Sequence, residues 1–333
     1  MKGKLTIRDV ARAAGASPST VSRVLTGRAY VSPEKREAIL QAMRTLNYRP
    51  NLIARSLKTA LTFNVGLIIT EIQSPFYSAA AKGVQDRLLA DGYSVFLCDT
   101  LEDPDRELHY LRNLQDKGVD GIIFAPTGGN AAYIASLAAS GLPLVQIDRQ
   151  VVPQVSAVLT DNFGATYEAI AHLIARGHRR IGLVAFQRQV TPAIERFRGY
   201  QRALAEAGIP YDARYVRWGA PNSDAGYAMA KEMLQLPTPP TALFAMNSRL
   251  GIGVLRAVRD MGLAIPKDVA IVAFDDVEAF SLMTPPISAV DHPAYDIGYQ
   301  AAGLLLEAMQ ERERPPAPRT VVVPARLIVR ASS

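Results

Sequence analysis

Apolar side chains recur three and four apart through residues 6–25, TIRDVARAAGASPSTVSRVL, with small or polar residues between them. That spacing predicts two short helices joined by a tight turn. Ile7, Val10, Ala11 and Ala14 share one face of the first, and Thr6 with Asp9 three residues on forms a capping box at its start. Gly15 stands where a left-handed turn residue is wanted. Ser17-Pro18 then opens the second helix, since a proline at the first helical position gives up only an amide that had no partner. Val21, Val24 and Leu25 are its buried side, while Ser19, Thr20, Ser22 and Arg23 form a polar side short enough, apart from the arginine, to approach nucleic acid closely. A third helix starts at Ser32-Pro33 and presents Ile39, Ala42, Met43 and Leu46. The three form a helix-turn-helix unit whose second helix can enter a major groove.

Beyond Tyr48 the run Arg49-Pro50-Asn51 ends this unit, because a proline forces its predecessor out of helical geometry. The next eight residues, NLIARSLK over 51–58, have helix-forming composition but are too short to hold a helix alone. From Phe63 the texture changes. VGLII, SVFLCD, GIIFA, PLVQID and AVLTD are apolar or β-branched runs separated by helical segments such as 77–90 and 106–115. Such alternation predicts right-handed βαβ units and a parallel sheet covered on both faces. A second cycle starts at Arg180, with IGLVAF, a helix over 194–207, then YVRW, ALFAM, a helix over 250–261 and AIVAFD. The cycles resemble each other locally, Gly66-Leu67-Ile68-Ile69 against Gly182-Leu183-Val184-Ala185 and LLADG (88–92) against LAEAG (204–208), so two similar α/β lobes are expected. A helix over 295–311, a Pro-rich connector and a β-branched run over 320–323 complete the chain.

Charge sharpens this division. The chain has 333 residues and a net charge of +6. Residues 1–60 carry 12 Lys and Arg against 3 Asp and Glu, a net of +9, which leaves 25 against 28, a net of −3, for the rest. Positive charge confined to a small unit is the footprint of a phosphate-binding module; the alternative is a solvated helical cap without a partner. The single cysteine, Cys98, allows no intramolecular disulfide and is expected as a small core residue. No signal-peptide h-region and no apolar run long enough to span a bilayer occur, so a cytoplasmic protein is expected.

Enzyme signals are weak. Gly251-Ile252-Gly253 lacks the third glycine of a dinucleotide fingerprint and lies inside a predicted helix, where close packing explains it better. No Walker A, Gly-x-Ser-x-Gly or His-Glu-x-x-His run is present, and the histidines at 109, 172, 178 and 292 have no metal-ligand spacing. Asp275-Asp276 are neighbours on a strand and point to opposite faces, which spoils an acid/base pair. No cofactor, no metal and no catalysis are expected.

In open parallel sheets ligands sit beyond the carboxyl ends of the strands. Asp148 ends PLVQID, Asn247 ends ALFAMN and Asp275 ends AIVAFD, while Phe76 is placed in the loop after VGLII and Arg196 at the opening of the helix after IGLVAF. A carboxylate and a guanidinium facing one cavity suit vicinal hydroxyls, as on sugars. A structural role for Asp275, capping the next turn, is the alternative. On the head, Arg23 can bond guanine O6 and N7 together.

The run from Thr6 to Thr59, TIRDVARAAGASPSTVSRVLTGRAYVSPEKREAILQAMRTLNYRPNLIARSLKT, closely resembles the DNA-binding head of the lactose repressor/galactose repressor (LacI/GalR) family of bacterial transcription regulators, and the resemblance runs through the whole chain. It implies an N-terminal all-α helix-turn-helix head plus an α/β core of two doubly wound parallel-sheet lobes, periplasmic-binding-protein-like. The head would occupy 1–49 and a hinge 50–61. The first lobe would take 62–160 and 292–322 and the second 161–291 and 323–333, with the tail crossing between them. The hinge would fold in the minor groove when two copies meet on DNA, Leu57 entering as a wedge that kinks the duplex.

Several residue roles follow from the same resemblance. DNA contacts fall to Thr6, Pro18, Ser19, Thr20, Ser22, Arg23, Tyr30, Asn51, Ala54, Leu57 and Lys58. Pro18 and Ser19 stand at the positions that vary operator preference, and Thr20, Ser22 and Tyr30 look like phosphate anchors. The effector contacts are Phe76, Asp148, Arg196, Asn247, Asp275 and His292. The chain departs from the family pattern with Ser248 after Asn247, with Pro221 where an aromatic is usual, and with His292 where Gln is common. A sugar is the first expectation for the effector, with a sugar acid or sugar phosphate in competition because Arg149, Arg188 and Arg249 are near. The function implied is a ligand-switched repressor binding a near-palindromic operator as a homodimer, a tetramer being open. Induction is expected, with co-repression the alternative. A periplasmic-type sugar-binding protein would lack the head, and an α/β enzyme acting on a sugar would need a catalytic constellation.

Overall fold

The computed structural model describes residues 5–26, 30–48, 61–311 and 316–333. The chain forms two compact units, Met1–Thr62 and Phe63–Ser333. In the first, α1 (Ile7–Ala13), α2 (Pro18–Thr26) and α3 (Pro33–Thr45) pack around Val10, Ala11, Val21, Ile39 and Ala42, all buried. Asp9 Oδ2 accepts from the Thr6 amide at 2.9 Å and from its hydroxyl at 2.7 Å, fixing the start of α1. Gly15 has φ +57°, the left-handed conformation that lets the chain turn into α2. Ser17 Oγ accepts from the Thr20 amide at 3.1 Å, so the second helix is capped by Ser17 and led in by Pro18.

The second unit contains two six-stranded sheets. In chain order the elements of the first are β1 (Asn64–Ile69), α4 (Pro75–Ala90), β2 (Ser94–Asp99), α5 (Pro104–Asp116), β3 (Gly121–Phe124), α6 (Ala131–Ala139), β4 (Leu144–Ile147) and β5 (Ser156–Thr160). Those of the second are α7 (Asn162–Ala175), β6 (Ile181–Phe186), α8 (Thr191–Glu206), β7 (Val216–Gly219), α9 (Ser223–Leu234), β8 (Ala242–Ala245), α10 (Ser248–Asp260), β9 (Ala270–Phe274), α11 (Glu278–Leu282) and β10 (Ser288–Asp291). The chain then returns to the first sheet through α12 (Ala294–Gln310) and β11 (Thr320–Val323), and ends in the second with β12 (Arg326–Ile328).

The strand orders are β11-β5-β4-β3-β1-β2 and β12-β10-β9-β8-β6-β7. β1 and β6, whose sequences resemble each other, hold equivalent places, as do β4 and β9. All pairings are parallel except β10 with β12. Both faces of the first sheet are covered, and residue alternation shows it: Leu67 and Ile69 join the apolar cluster that includes α4 and α12, whereas Ile68 joins the one that includes α5. Gly298 of α12 lies against α4 so closely that a Cβ there would sit 1.9 Å from the Ala80 carbonyl oxygen, which explains glycine at that helix crossing. Gly251 faces Phe280 and Ala273 while Gly253 faces the backbone of α9. Their role is helix packing.

The fold class is the one read from the sequence: an all-α head and a core of two doubly wound α/β lobes. Helix starts differ by one to three residues. Proline or threonine at the first turn, as in Pro75, Pro104 and Thr191-Pro192, extends each helix toward its N-terminus. Two local placements are corrected as a result. Phe76 lies in the first turn of α4 instead of a loop, and Arg196 lies in the second turn of α8 instead of opening it. Cys98 is half-buried, on the edge strand β2 against the α5 side of the sheet, and burial pushes its thiol up.

Candidate functional site

One cavity of about 300 Å³ opens at the carboxyl ends of the central strands and takes side chains from both lobes. Phe76, Asp148, Arg196, Asn247, Asp275 and His292 all line it. The loops and helix starts after β1, β4, β6, β8, β9 and β10 bring them together, as a doubly wound sheet requires.

Asp148 follows β4 and Asp275 follows β9, and both carry left-handed backbone, φ +64° and +69°. A non-glycine residue rarely holds that conformation, and the repetition at equivalent strand ends marks both positions as over-determined by their surroundings. On the first lobe, Tyr77 donates its hydroxyl to Asp148 Oδ2 at 2.8 Å, and burial followed by the Asp148 charge holds the phenol well above its ordinary pKa. Arg149 makes a two-pronged pair with Glu102, 2.7 Å on each side. Phe76 stacks on the His292 ring with centroids 4.6 Å apart and planes 6° apart.

On the second lobe, Arg196 is buried, donating from Nε to Asn162 Oδ1 at 2.8 Å and from Nη1 to the Met246 carbonyl. Its guanidinium lies 3.4 Å from the Phe274 ring centroid. Asp275 accepts from His292 Nε2 at 2.9 Å and from the Ser248 amide and hydroxyl at 3.0 and 3.2 Å. Asp275 and Asp276 lie past the end of β9 and not on the strand as expected, and Asp276 pairs with Arg330 through two contacts of 2.7 Å. Asn247 also caps α10, accepting from the Leu250 amide at 2.7 Å. His292 connects the lobes, because its Nδ1 is 3.3 Å from Thr160 Oγ1 at the end of β5 and its Nε2 faces Asp275. A second link is Arg249 to Glu71 at 2.7 Å, both lining the cavity.

Burial alone would raise the Asp275 pKa, yet the hydrogen bond and charge of His292, the charge of Arg196 and the Ser248 amide together bring it to about 2. A carboxylate with a lower pKa folded than unfolded binds fewer protons in the native state, so its stabilisation is complete above about pH 4 and is lost as the pH falls through about 2. Stability of the parent minus that of Asp275→Asn should therefore shrink by on the order of 2 kcal/mol between pH 5 and pH 2. Urea unfolding at the two pH values measures it, and a difference that stays constant would remove this ionisation from the energetics.

Sequence reasoning missed Tyr77, Glu102, Glu71, Thr160 and Asn162. Glu71 and Glu102 both follow strand ends, so the rule that found Asp148 could have found them. Pro221 and Ser248 line the cavity, as do Arg149 and Arg249. Arg188 does not, and instead lies 4.9 Å over the Trp218 ring.

On the head, Pro18, Ser19 and Arg23 are exposed along one side of α2, with Thr20 and Ser22 half-buried beside them. Ser17 Oγ is 2.7 Å from Ser19 Oγ and 2.8 Å from Thr20 Oγ1. Thr6 is exposed, and Tyr30 is 87% exposed ahead of α3. Asn51, Ala54, Leu57 and Lys58 lie outside the described residues. Among the described residues no cluster of metal-ligating side chains occurs and no helix is long and apolar enough to cross a membrane.

Comparison with known proteins bears on both units. The family model for bacterial regulatory proteins of the lacI family matches residues 6–51, and that for a periplasmic binding protein-like domain matches residues 170–333. The transcriptional repressor PurR of Haemophilus influenzae (strain PittEE) is 32% identical over 309 residues, 92% of this chain and 92% of that protein. A complex of the transcriptional regulator CelR with cellobiose has a TM-score of 0.76 at 31% identity, covering 99% of this chain and 100% of that one. The lac repressor dimer bound to operator and the anti-inducer ONPF has a TM-score of 0.87 at 26% identity, covering 99% of each chain.

Proposed function

This chain belongs to the lacI family of bacterial regulatory proteins and is a DNA-binding transcription regulator, not an enzyme; we propose that it is a repressor that binds a near-palindromic operator as a homodimer and is switched by a sugar-like effector held between its lobes. What supports this above all is that one cavity takes Phe76 and Asp148 from the first lobe and Arg196, Asn247 and Asp275 from the second, with His292 between them. Carboxylates, a guanidinium and an aromatic face are the groups that recognise hydroxyls and the apolar side of a sugar ring. A ligand that touches both lobes favours one relative arrangement of them, and it shifts operator affinity by its differential affinity for the two arrangements.

In this reading the head spans 1–49 and contacts DNA through Thr6, Pro18, Ser19, Thr20, Ser22, Arg23 and Tyr30. The hinge spans 50–61 and contributes Asn51, Ala54, Leu57 and Lys58. The first lobe comprises 62–160 and 292–323 and the second 161–291 and 324–333, the boundary expected after 322 shifting by one residue because Val323 still pairs with Thr160. A regulator that acts on operator DNA works in the cytoplasm.

Residues 1–60, head and hinge together, carry a net of +9, so operator binding should weaken linearly in log–log form as salt rises, the slope counting the phosphates neutralised. Titration of a duplex selected from random sequence, over a range of salt, with the full chain and with residues 63–333 tests the reading. The shorter chain should lose all operator binding. Retained affinity in it would show that the head is not the DNA-binding unit.

A further inference from the structure

Guanidiniums and free helix N-terminal amides are the groups by which proteins hold carboxylates and phosphates. Around this cavity the three guanidiniums are already engaged by the protein itself, as are amides at the starts of α9 and α10, while the starts of α4 and α8 carry no side-chain cap. The fork of Arg149, 5% exposed, is filled by Glu102 at 2.7 Å on both prongs. Arg249 is paired with Glu71 of the opposite lobe at 2.7 Å. Arg196 is committed to Asn162, to the Met246 carbonyl and to the face of Phe274. At the start of α10 the Ser248 amide is bonded to Asp275 and the Leu250 amide to Asn247, and at the start of α9 the Ala225 amide is bonded to Asn222.

We infer that the cavity takes an uncharged, hydroxyl-rich ligand, and that Glu71 and Glu102 set this selectivity by occupying the arginines an anionic ligand would need. This rests on the cavity being the effector site, and it separates a neutral sugar from the sugar acids and sugar phosphates that the arginine count alone would admit. The lining has four carboxylates, Glu71, Glu102, Asp148 and Asp275, against three guanidiniums. An anion that pairs with an arginine here must displace a carboxylate that then loses its partner, which is costly in a desolvated site. Hydroxyls carry no such cost. They donate to Asp148 and Asp275, whose short contacts leave acceptor capacity on each carboxylate.

The test uses the full chain, thermal unfolding at constant ionic strength, and matched probes: sodium chloride against sodium phosphate, ribose against ribose 5-phosphate, glucose against glucuronate, and cellobiose. Wild type should gain no stability from phosphate, glucuronate or ribose 5-phosphate beyond that in chloride. Glu71→Gln and Glu102→Gln should each leave a guanidinium with a neutral acceptor in place of its counter-charge and gain at least tenfold in affinity for the anionic probes, seen as a dose-dependent rise in Tm. Glu71 sits in a partly exposed pair, so its variant keeps the test decisive even if Glu102→Gln does not fold. Wild type binding an anionic probe as tightly as its neutral counterpart overturns the inference, as does the absence of any gain in Glu71→Gln. If wild type binds none of the neutral sugars while the variants gain anion binding, the charge assignment stands and the sugar-effector reading fails.

Discussion

Asp275→Ala should bind its operator as the parent does and lose roughly 10- to 150-fold in effector affinity, the worth of one charge-assisted hydrogen bond. The carboxylate belongs to the second lobe and is held by His292 and Ser248, so it presents a fixed acceptor to the cavity. Removing it also takes a compensating charge from buried Arg196, whose pKa is already lowered by desolvation, and the core should lose stability as well. Asp275→Asn keeps the shape and separates the two effects. If it folds like the parent yet fails to respond to effector, the loss belongs to ligand recognition and not to a damaged core. Calorimetric titration with effector and operator titration of both variants measure this. A variant that responds as fully as the parent would remove Asp275 from the switch.

Arg23→Ala carries the largest expected effect on DNA. Arg23 is exposed on α2, the helix that can enter the major groove, and a bidentate contact to guanine is worth roughly 1–3 kcal/mol at each head. A homodimer loses it at both half-sites. Specific binding should fall far more than binding to a scrambled duplex, whereas Thr20→Ala, at a phosphate position, should weaken both alike. Fluorescence anisotropy with the two duplexes distinguishes them. Equal losses for Arg23→Ala on both would make it a phosphate contact and leave base readout to other residues.

How far these sites could be read from sequence depends on whether a local rule governs them. The capping box of Thr6 and Asp9, the turn at Gly15 and the helix-opening prolines are short-range features, and each follows from the chemistry of a few adjacent residues. The strand ends behave similarly, since parallel strands point their carboxyl ends to one side and so deliver Asp148, Asn247 and Asp275 to one cavity. Pairings between distant elements are different. Glu102 and Arg149 are 47 residues apart and Glu71 and Arg249 are 178 apart, and no spacing links them. Their effect is large for the site, because a list of nearby arginines suggests an anion and the pairs reverse that. His292 is a similar case. It stacks on Phe76, faces Asp275 and stands in the segment that crosses between lobes, and only the resemblance to a family with a glutamine there pointed to it.

Head and cavity should be energetically coupled, and coupling is reciprocal. The direct measurement is calorimetric affinity for the effector in the free protein and in the protein saturated with operator duplex, beside operator affinity with and without saturating effector. Both ratios should depart from one and be equal, with a coupling of roughly 1–3 kcal/mol, a factor of about 5 to 150. An effector that binds the cavity with the same affinity whether or not operator is present would show that the cavity does not control DNA binding.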